Sequence, residues 1–201
     1  MGLQNRVTPE GEIVRAAWRG AFTGNRGCLH GPDRELGAAR WRTKAWICCL
    51  LEFRGRRREP MPPGKWTALF FWDEAMALAA GHRPCGECRH ADHVRFREAW
   101  AAAGLPGRYA REIDAELHEA RVTRRREKVV HVADAAGLPD GTVLSGGILL
   151  AGGGAFRWSP EGYAPVPRPG GAVTVLTPAP VVTVLRAGYR PAMRLDQSGS
   201  R

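Results

Sequence analysis

Cys85 and Cys88 are separated only by Gly86 and Glu87. Two thiolates at that spacing can converge on one tetrahedral ion, and a glycine between them relieves the turn. A single CxxC supplies half of a zinc site, so further ligands must come from other parts of the chain. Cys48 and Cys49 are the next cysteines to consider. Neighbours on a strand face opposite ways, so one of this pair can point at a shared metal while the other is buried or free to react. The competing reading of the CxxC is a redox dithiol, because the pair precedes a helical segment whose dipole would lower a thiol pKa. A second set of reactive types lies at Asp114, His118 and Arg121, spaced i, i+4 and i+7 along one helical face. There His118 is a candidate general base and Arg121 a candidate anion clamp, against the ordinary reading of a solvated histidine on a helix. A third feature is the run Arg54-Gly55-Arg56-Arg57-Arg58, a basic loop suited to phosphates or simply a solvated charge run.

These groups need elements to hold them. Asp73 is an N-cap for a helix over Glu74 to Ala80, and Gly81 suits the left-handed position that ends it. Pro84 prevents continuation, and the CxxC follows at once. A strand is expected at Trp46 to Phe53, carrying Cys48 and Cys49. An aromatic segment, Lys65 to Trp72, enters the core as a short strand or buried loop. A short helix is expected around Ile13 to Trp18, between Pro9 and Gly20. After the CxxC, helices are expected over Ala91 to Ala103, closed by Gly104, and over Tyr109 to Arg124. Beyond Glu127 the composition shifts to short strand candidates between Gly- and Pro-rich turns: Val129 to Val132, Thr142 to Leu144, Ile148 to Ala151, Val173 to Leu176 and Val181 to Leu185. Gly152, Gly153 and Gly154 lack the strand–GxGxxG–helix context of a dinucleotide site.

The expected fold class is therefore α+β. A small metal-stabilised α/β domain with two following helices occupies residues 1–126. A small antiparallel β-rich domain or partial barrel spans 127–191, and 192–201 form a flexible tail. The 201 residues carry a formal charge of +10, and the first 60 hold 12 basic against 6 acidic residues. That balance favours a polyanionic partner, with nucleic acid first. No apolar run approaches the roughly 20 residues that span a bilayer, and no secretory leader is evident, so the expectation is a cytoplasmic protein without a membrane partner. In that compartment five cysteines read better as metal ligands or thiols than as disulfides.

The segment EAMALAAGHRPCGEC, Glu74 to Cys88, resembles the zinc-binding N-terminal domain of the bacterial Ada protein, which responds to DNA alkylation. The resemblance covers about 20 residues, and the pattern around GNRG and AGHRPC is similar to segments of other bacterial proteins. In the Ada family two earlier cysteines and two in the knuckle bind one zinc. One earlier cysteinate accepts a methyl group from a DNA phosphotriester, and the changed charge strengthens DNA binding. The resemblance implies zinc as cofactor, with Cys85 and Cys88 as ligands. The family's earlier cysteines are a few residues apart, whereas Cys48 and Cys49 are adjacent, so one of them carries over and Cys49 is favoured. His30 is then the first choice for the fourth ligand, ahead of Cys28 and His90, and Cys48 is left as a candidate acceptor or a packed thiol.

The expected function is a zinc-dependent DNA-binding protein, acting in the response to DNA damage or its repair. Arg54, Arg56, Arg57, Arg58, Arg83 and Arg89 would contact phosphates. One alternative is a nuclease or base-processing enzyme with structural zinc, its chemistry carried by the Asp114–His118–Arg121 face. Another is a basic scaffold whose C-terminal sheet binds a protein.

Overall fold

Asp73 and Glu74 open the central helix, and both carboxylates are almost completely buried. The computed structural model describes residues 2–57 and 59–195. The chain runs β1 (Gln4–Val7), β2 (Ile13–Arg15), β3 (Phe22–Asn25) and β4 (Ile47–Leu50), then the small hairpin of β5 (Glu52–Phe53) and β6 (Arg56–Arg57). β7 (Leu69–Phe71), α1 (Glu74–Ala79), β8 (Arg83–Pro84), α2 (His90–Ala102) and α3 (Ala110–Arg121) follow. The remainder is β9 (His131–Asp134), β10 (Val143–Leu144), β11 (Ile148–Ala151), β12 (Gly154–Ser159), β13 (Gly162–Val166), β14 (Ala172–Val175) and α4 (Ala179–Arg186). The fold class is α+β, as expected.

Two six-stranded sheets form. The first, mixed in direction, has the order β2-β1-β7-β3-β4-β8, and the second, antiparallel, has β13-β12-β11-β10-β14-β9. The composition shift near residue 127 separates the two sheets. Residues from both sides of it nevertheless share two apolar clusters. Trp72, Ala75, Met76 and Ala79 pack with Val143, Leu149, Tyr163 and Leu176. Leu78 packs in one cluster with Phe96, Trp100 and Leu117 and with Val181, Val184 and Leu185. Every residue of α1 is buried, which is the pattern of a helix enclosed on all sides. At the expected boundary, 126, the chain passes from one sheet to the other while α1 packs in clusters with residues from both sides of it.

Several elements depart from the sequence expectation. Ile13 to Trp18 does not form a helix; Ile13–Arg15 is β2, paired with β1, and Trp18 is a core residue against Trp72 and Trp158. Val181 to Leu185 is α4, not a strand: Pro178 caps the start, and the apolar side chains enter the core beside α2 and α3. The unforeseen pair β12 and β13 extends the second sheet, with Gly152 and Gly153, both at positive φ, turning β11 into β12. Two consecutive positive φ values are what a tight hairpin loop requires. Residues 192–195 are not a free tail. The Ala192 and Arg194 amides donate to the carboxylates of Glu74 and Asp73 at 2.9 and 3.2 Å. The rest of the expected tail, 196–201, lies outside the described residues.

Asp73 accepts from the Met76 amide as N-cap (2.9 Å) and from the Tyr163 hydroxyl (3.0 Å). Burial nevertheless raises its carboxyl to about 6, from an ordinary 3.8. The folded state therefore holds this proton more tightly than the unfolded chain, and the stability it contributes is complete below about pH 4 and lost as pH rises through about 6. Asp73→Asn, which keeps a capping side chain, is expected to remove that loss. Urea melts of both proteins from pH 4 to 7 test this, since the wild type should lose stability relative to the variant across the interval. Parallel pH profiles would contradict it.

Candidate metal centre

Backbone pairing assembles the cysteine cluster. β4 and β8 run parallel, with Ile47 opposite Arg83 and Cys48 opposite Pro84. The Cys85 amide then donates to the Cys48 carbonyl at 2.9 Å, which sets Cys85 beside Cys49. The chain turns through Gly86 and Glu87 into α2, and Cys88 comes back over the end of β4. The ligand atoms of Cys49, Cys85 and Cys88 all lie within 4.8 Å of one another, so the three can hold a metal. Three sulfurs at about 2.3 Å from one tetrahedral ion would be somewhat under 4 Å apart, which is compatible with this arrangement.

Amide hydrogens already point at two of the sulfurs. Glu87 N donates to Cys85 Sγ and Leu50 N to Cys88 Sγ, each at 3.4 Å. Such bonds favour the charged sulfur. Hydrogen bonds from Cys49 and Cys88 also hold Cys85 far below the usual thiol range, while Cys49, the donor to Cys85 and Cys88, is held far above it. The donor set is soft, which suits a thiophilic metal.

Cys48 faces the other way, as strand alternation requires. It is fully buried among Leu69, Phe71 and Ala77, and it accepts a hydrogen bond from Arg89 Nη1 at 3.4 Å. Burial raises its thiol well above the ordinary range. This corrects its nomination as a reactive acceptor: Cys48 is a packed core thiol. His30 is also placed elsewhere, with Nδ1 2.6 Å from the Thr67 hydroxyl and Nε2 3.3 Å from the Pro62 carbonyl, so both ring nitrogens are engaged. Cys28 donates to the His30 carbonyl at 3.7 Å. Of the three residues considered for a fourth ligand, His90 alone lies at the knuckle, where its Nδ1 is 3.1 Å from the Gly86 carbonyl. Among the described residues no fourth cysteine, histidine or carboxylate joins the cluster.

The arginines divide sharply. Arg83 is buried and makes a two-pronged ion pair with Asp114, Nε to Oδ1 at 2.8 Å and Nη2 to Oδ2 at 2.7 Å. Arg89 is buried between Glu74 (2.7 Å) and Asp92 (2.7 Å), with its guanidinium 4.6 Å from the Phe22 ring centre. Neither is free to reach a phosphate, so both are corrected from contact residues to structural ones. Arg54, Arg56 and Arg57 are exposed on the β5–β6 hairpin, whose two-residue loop is Arg54-Gly55, both at positive φ. Arg58 lies outside the described residues.

The Asp114–His118–Arg121 face does not form a catalytic set. Asp114 spends both oxygens on Arg83 and leaves His118 without a carboxylate to orient it. His118 instead packs against Trp41 and Trp46 and sits 3.2 Å from Arg121 Nη2. Arg121 is buried against Trp46 and donates to the Gly81 and Lys44 carbonyls. The i, i+4 spacing is real, but the buried Arg83 claims the carboxylate.

No family model, curated protein or solved structure matches this chain. The metal centre is therefore read from its own geometry.

The buried pair gives a direct test of this reassignment. Asp114→Ala leaves the Arg83 guanidinium buried without a counter-charge, and unfolding should become about 3–5 kcal/mol easier. Equilibrium denaturation checks the magnitude. A change within about 0.5 kcal/mol, the range of ordinary surface substitutions, would restore Asp114 as a candidate for chemistry.

Proposed function

We propose that this protein binds zinc through Cys49, Cys85 and Cys88 and grips nucleic acid, DNA first, with the exposed arginines of the β5–β6 hairpin. The observation that carries this reading is the convergence of three sulfurs within 4.8 Å, two of them already accepting amide hydrogens. Zinc accepts an all-thiolate set, and three protein ligands leave its fourth position to another group. A reducing cytoplasm would keep the sulfurs available as thiolates.

The cluster and the hairpin are mechanically linked. Leu50 closes β4 and donates its amide to Cys88, and the hairpin strand β5 begins two residues later. A metal bridging Cys49 to Cys88 would fix the root from which Arg54, Arg56 and Arg57 project. The net charge of +10 supports a polyanion as partner. The local similarity of Glu74 to Cys88 to the Ada zinc domain supports DNA over other polyanions, and a damage response as the setting. Within this reading the burial of Cys48 argues against methyl capture at that sulfur, so the metal's role is to shape the binding surface.

Two measurements decide the matter. Metal analysis of the native protein should give one zinc per chain, lost when Cys85 and Cys88 are both changed to serine. A folded wild-type protein without metal and indifferent to chelator would end the zinc assignment. Arg54→Gln, Arg56→Gln and Arg57→Gln combined should weaken binding to duplex DNA of any sequence. The slope of log K against log salt should become shallower by about 2–3, close to one for each phosphate no longer neutralised. An unchanged slope would remove the hairpin as the binding surface.

A further inference from the structure

Where the first turn of the chain, the end of α3 and the approach to β9 meet, they enclose a cavity of about 630 Å³. That volume is in the range of small-molecule sites. It lies apart from the cysteine cluster, and none of the three sulfurs lines it. Five cations line it (Arg26, Arg40, Arg121, Arg126 and Lys128) against three carboxylates, Glu10, Glu12 and Glu127. The carboxylates are all on exposed residues, whereas Arg26 and Arg121 are 3% and 1% exposed.

The inner cations have only neutral acceptors. Arg26 donates from Nε to His82 Nε2 (3.3 Å) and from Nη2 to the Gly11 carbonyl (3.2 Å), with its guanidinium 4.0 Å from the Trp46 ring centre. Arg121 donates to two carbonyls, lies 4.1 Å from the same ring centre, and keeps a buried Nε with no partner. Lys128 Nζ donates to the Ala79 carbonyl at 2.6 Å. Among the described residues none of the three makes an ion pair within 4 Å. This protein does pair buried guanidiniums elsewhere: Arg83 has Asp114, and Arg89 has Glu74 and Asp92.

Leaving three cations together without a directly paired carboxylate is costly. The cost is visible in their ionisation: burial first, then the field of Arg40, depresses Arg26, which falls to about 9. Burial likewise takes Arg121 to about 9 despite the field of Asp114, and Lys128 to about 7 despite the field of Glu10. His82, buried beside Arg26, is held neutral by burial and by its cationic neighbours and adds no charge. A ligand bringing more than one negative charge would relieve all three at once. A phosphate group matches that requirement better than a single carboxylate, because it offers up to two charges and several acceptor oxygens to a cluster of donors. Trp41, half-buried on the cavity wall, offers an aromatic surface to whatever the phosphate is attached to.

We propose that this cavity is a binding site for a small phosphate-bearing anion, held by Arg26, Arg121 and Lys128 with Trp41 beside its organic part. The site is independent of the zinc and nucleic-acid reading, and it can be tested without DNA.

The test titrates the full-length protein at low salt with inorganic phosphate, pyrophosphate and adenosine monophosphate, followed by calorimetry and tryptophan fluorescence. At least one probe should bind saturably at one site per chain. Lys128→Met should weaken that binding about tenfold, as expected when one charge-assisted hydrogen bond is removed, and Arg40→Gln at the mouth should weaken it about two- to fivefold. Arg57→Gln on the β5–β6 hairpin, which does not line the cavity, should leave it unchanged. Because Lys128 has no ion-pair partner, Lys128→Met should leave the unliganded protein folded, with a urea midpoint close to that of the wild type, which separates lost binding from lost folding. If Lys128→Met does not fold, Arg40→Gln and Arg126→Gln carry the same comparison.

Tighter binding of adenosine monophosphate than of phosphate, with the difference abolished in Trp41→Leu, would identify a nucleotide-like ligand. Equal affinities would identify free phosphate or pyrophosphate. Either result supports the site. No saturable binding of any probe up to about 10 mM, the weak end of specific recognition, would overturn it. Binding unaltered by the cavity substitutions would overturn it equally.

Discussion

The buried carboxylates of Asp73 and Glu74 are the constraint around which this molecule closes. Two acidic groups at the start of an enclosed helix are tolerable only if every oxygen finds a donor. The donors come from across the chain. Tyr163 and the Arg194 amide serve Asp73, and Tyr189, Arg89 and the Ala192 amide serve Glu74. One pair of adjacent residues thereby ties the second sheet, the C-terminal segment and the start of α2 to a single helix. Arg89 extends the tie to the cysteine region, because the same guanidinium that meets Glu74 also reaches Cys48.

That tie explains why the knuckle is ordered where it is. Helix α1 ends at Ala79, and Gly81 just beyond its cap reverses the chain through a positive φ. A Cβ there would stand 2.6 Å from Arg121 Cδ, so the reversal and the seating of Arg121 depend on the same missing atom. The chain then enters β8, and its pairing with β4 converts a separation of 36 residues between Cys49 and Cys85 into neighbouring positions. The cysteine cluster is thus a consequence of sheet register, and a one-residue slip would present Cys48 in place of Cys49.

Positive charge is used in three physically different ways. Arg83 and Arg89 are buried and neutralised by carboxylates, and they hold the fold together. Arg54, Arg56 and Arg57 are solvated at a hairpin, with Arg57 only loosely near Glu52 at 3.7 Å. Arg26, Arg121 and Lys128 are sequestered with neutral partners alone, a costly arrangement. Net charge alone cannot distinguish these roles, since each arginine contributes the same unit whether it is screened, paired or confined.

The sequence by itself determined the local features. The Asp73 cap, the Gly81 stop, the two helices after the knuckle, the α+β class and the turn between Cys85 and Cys88 depend on interactions among residues a few positions apart, and such interactions are written in residue type and spacing. Strand alternation also dictated that Cys48 and Cys49 would part company. Only the tertiary structure decided which of them met the knuckle, that His30 would be claimed by Thr67, and that Asp114 would serve Arg83 instead of His118. It likewise made Val181 to Leu185 a helix, because the available space lay against α2 and α3 and not at a sheet edge. The reason is common to all four: a side chain has few local choices but many possible distant partners, and burial selects among them by which pairing leaves the fewest polar groups unsatisfied and the least apolar surface in water.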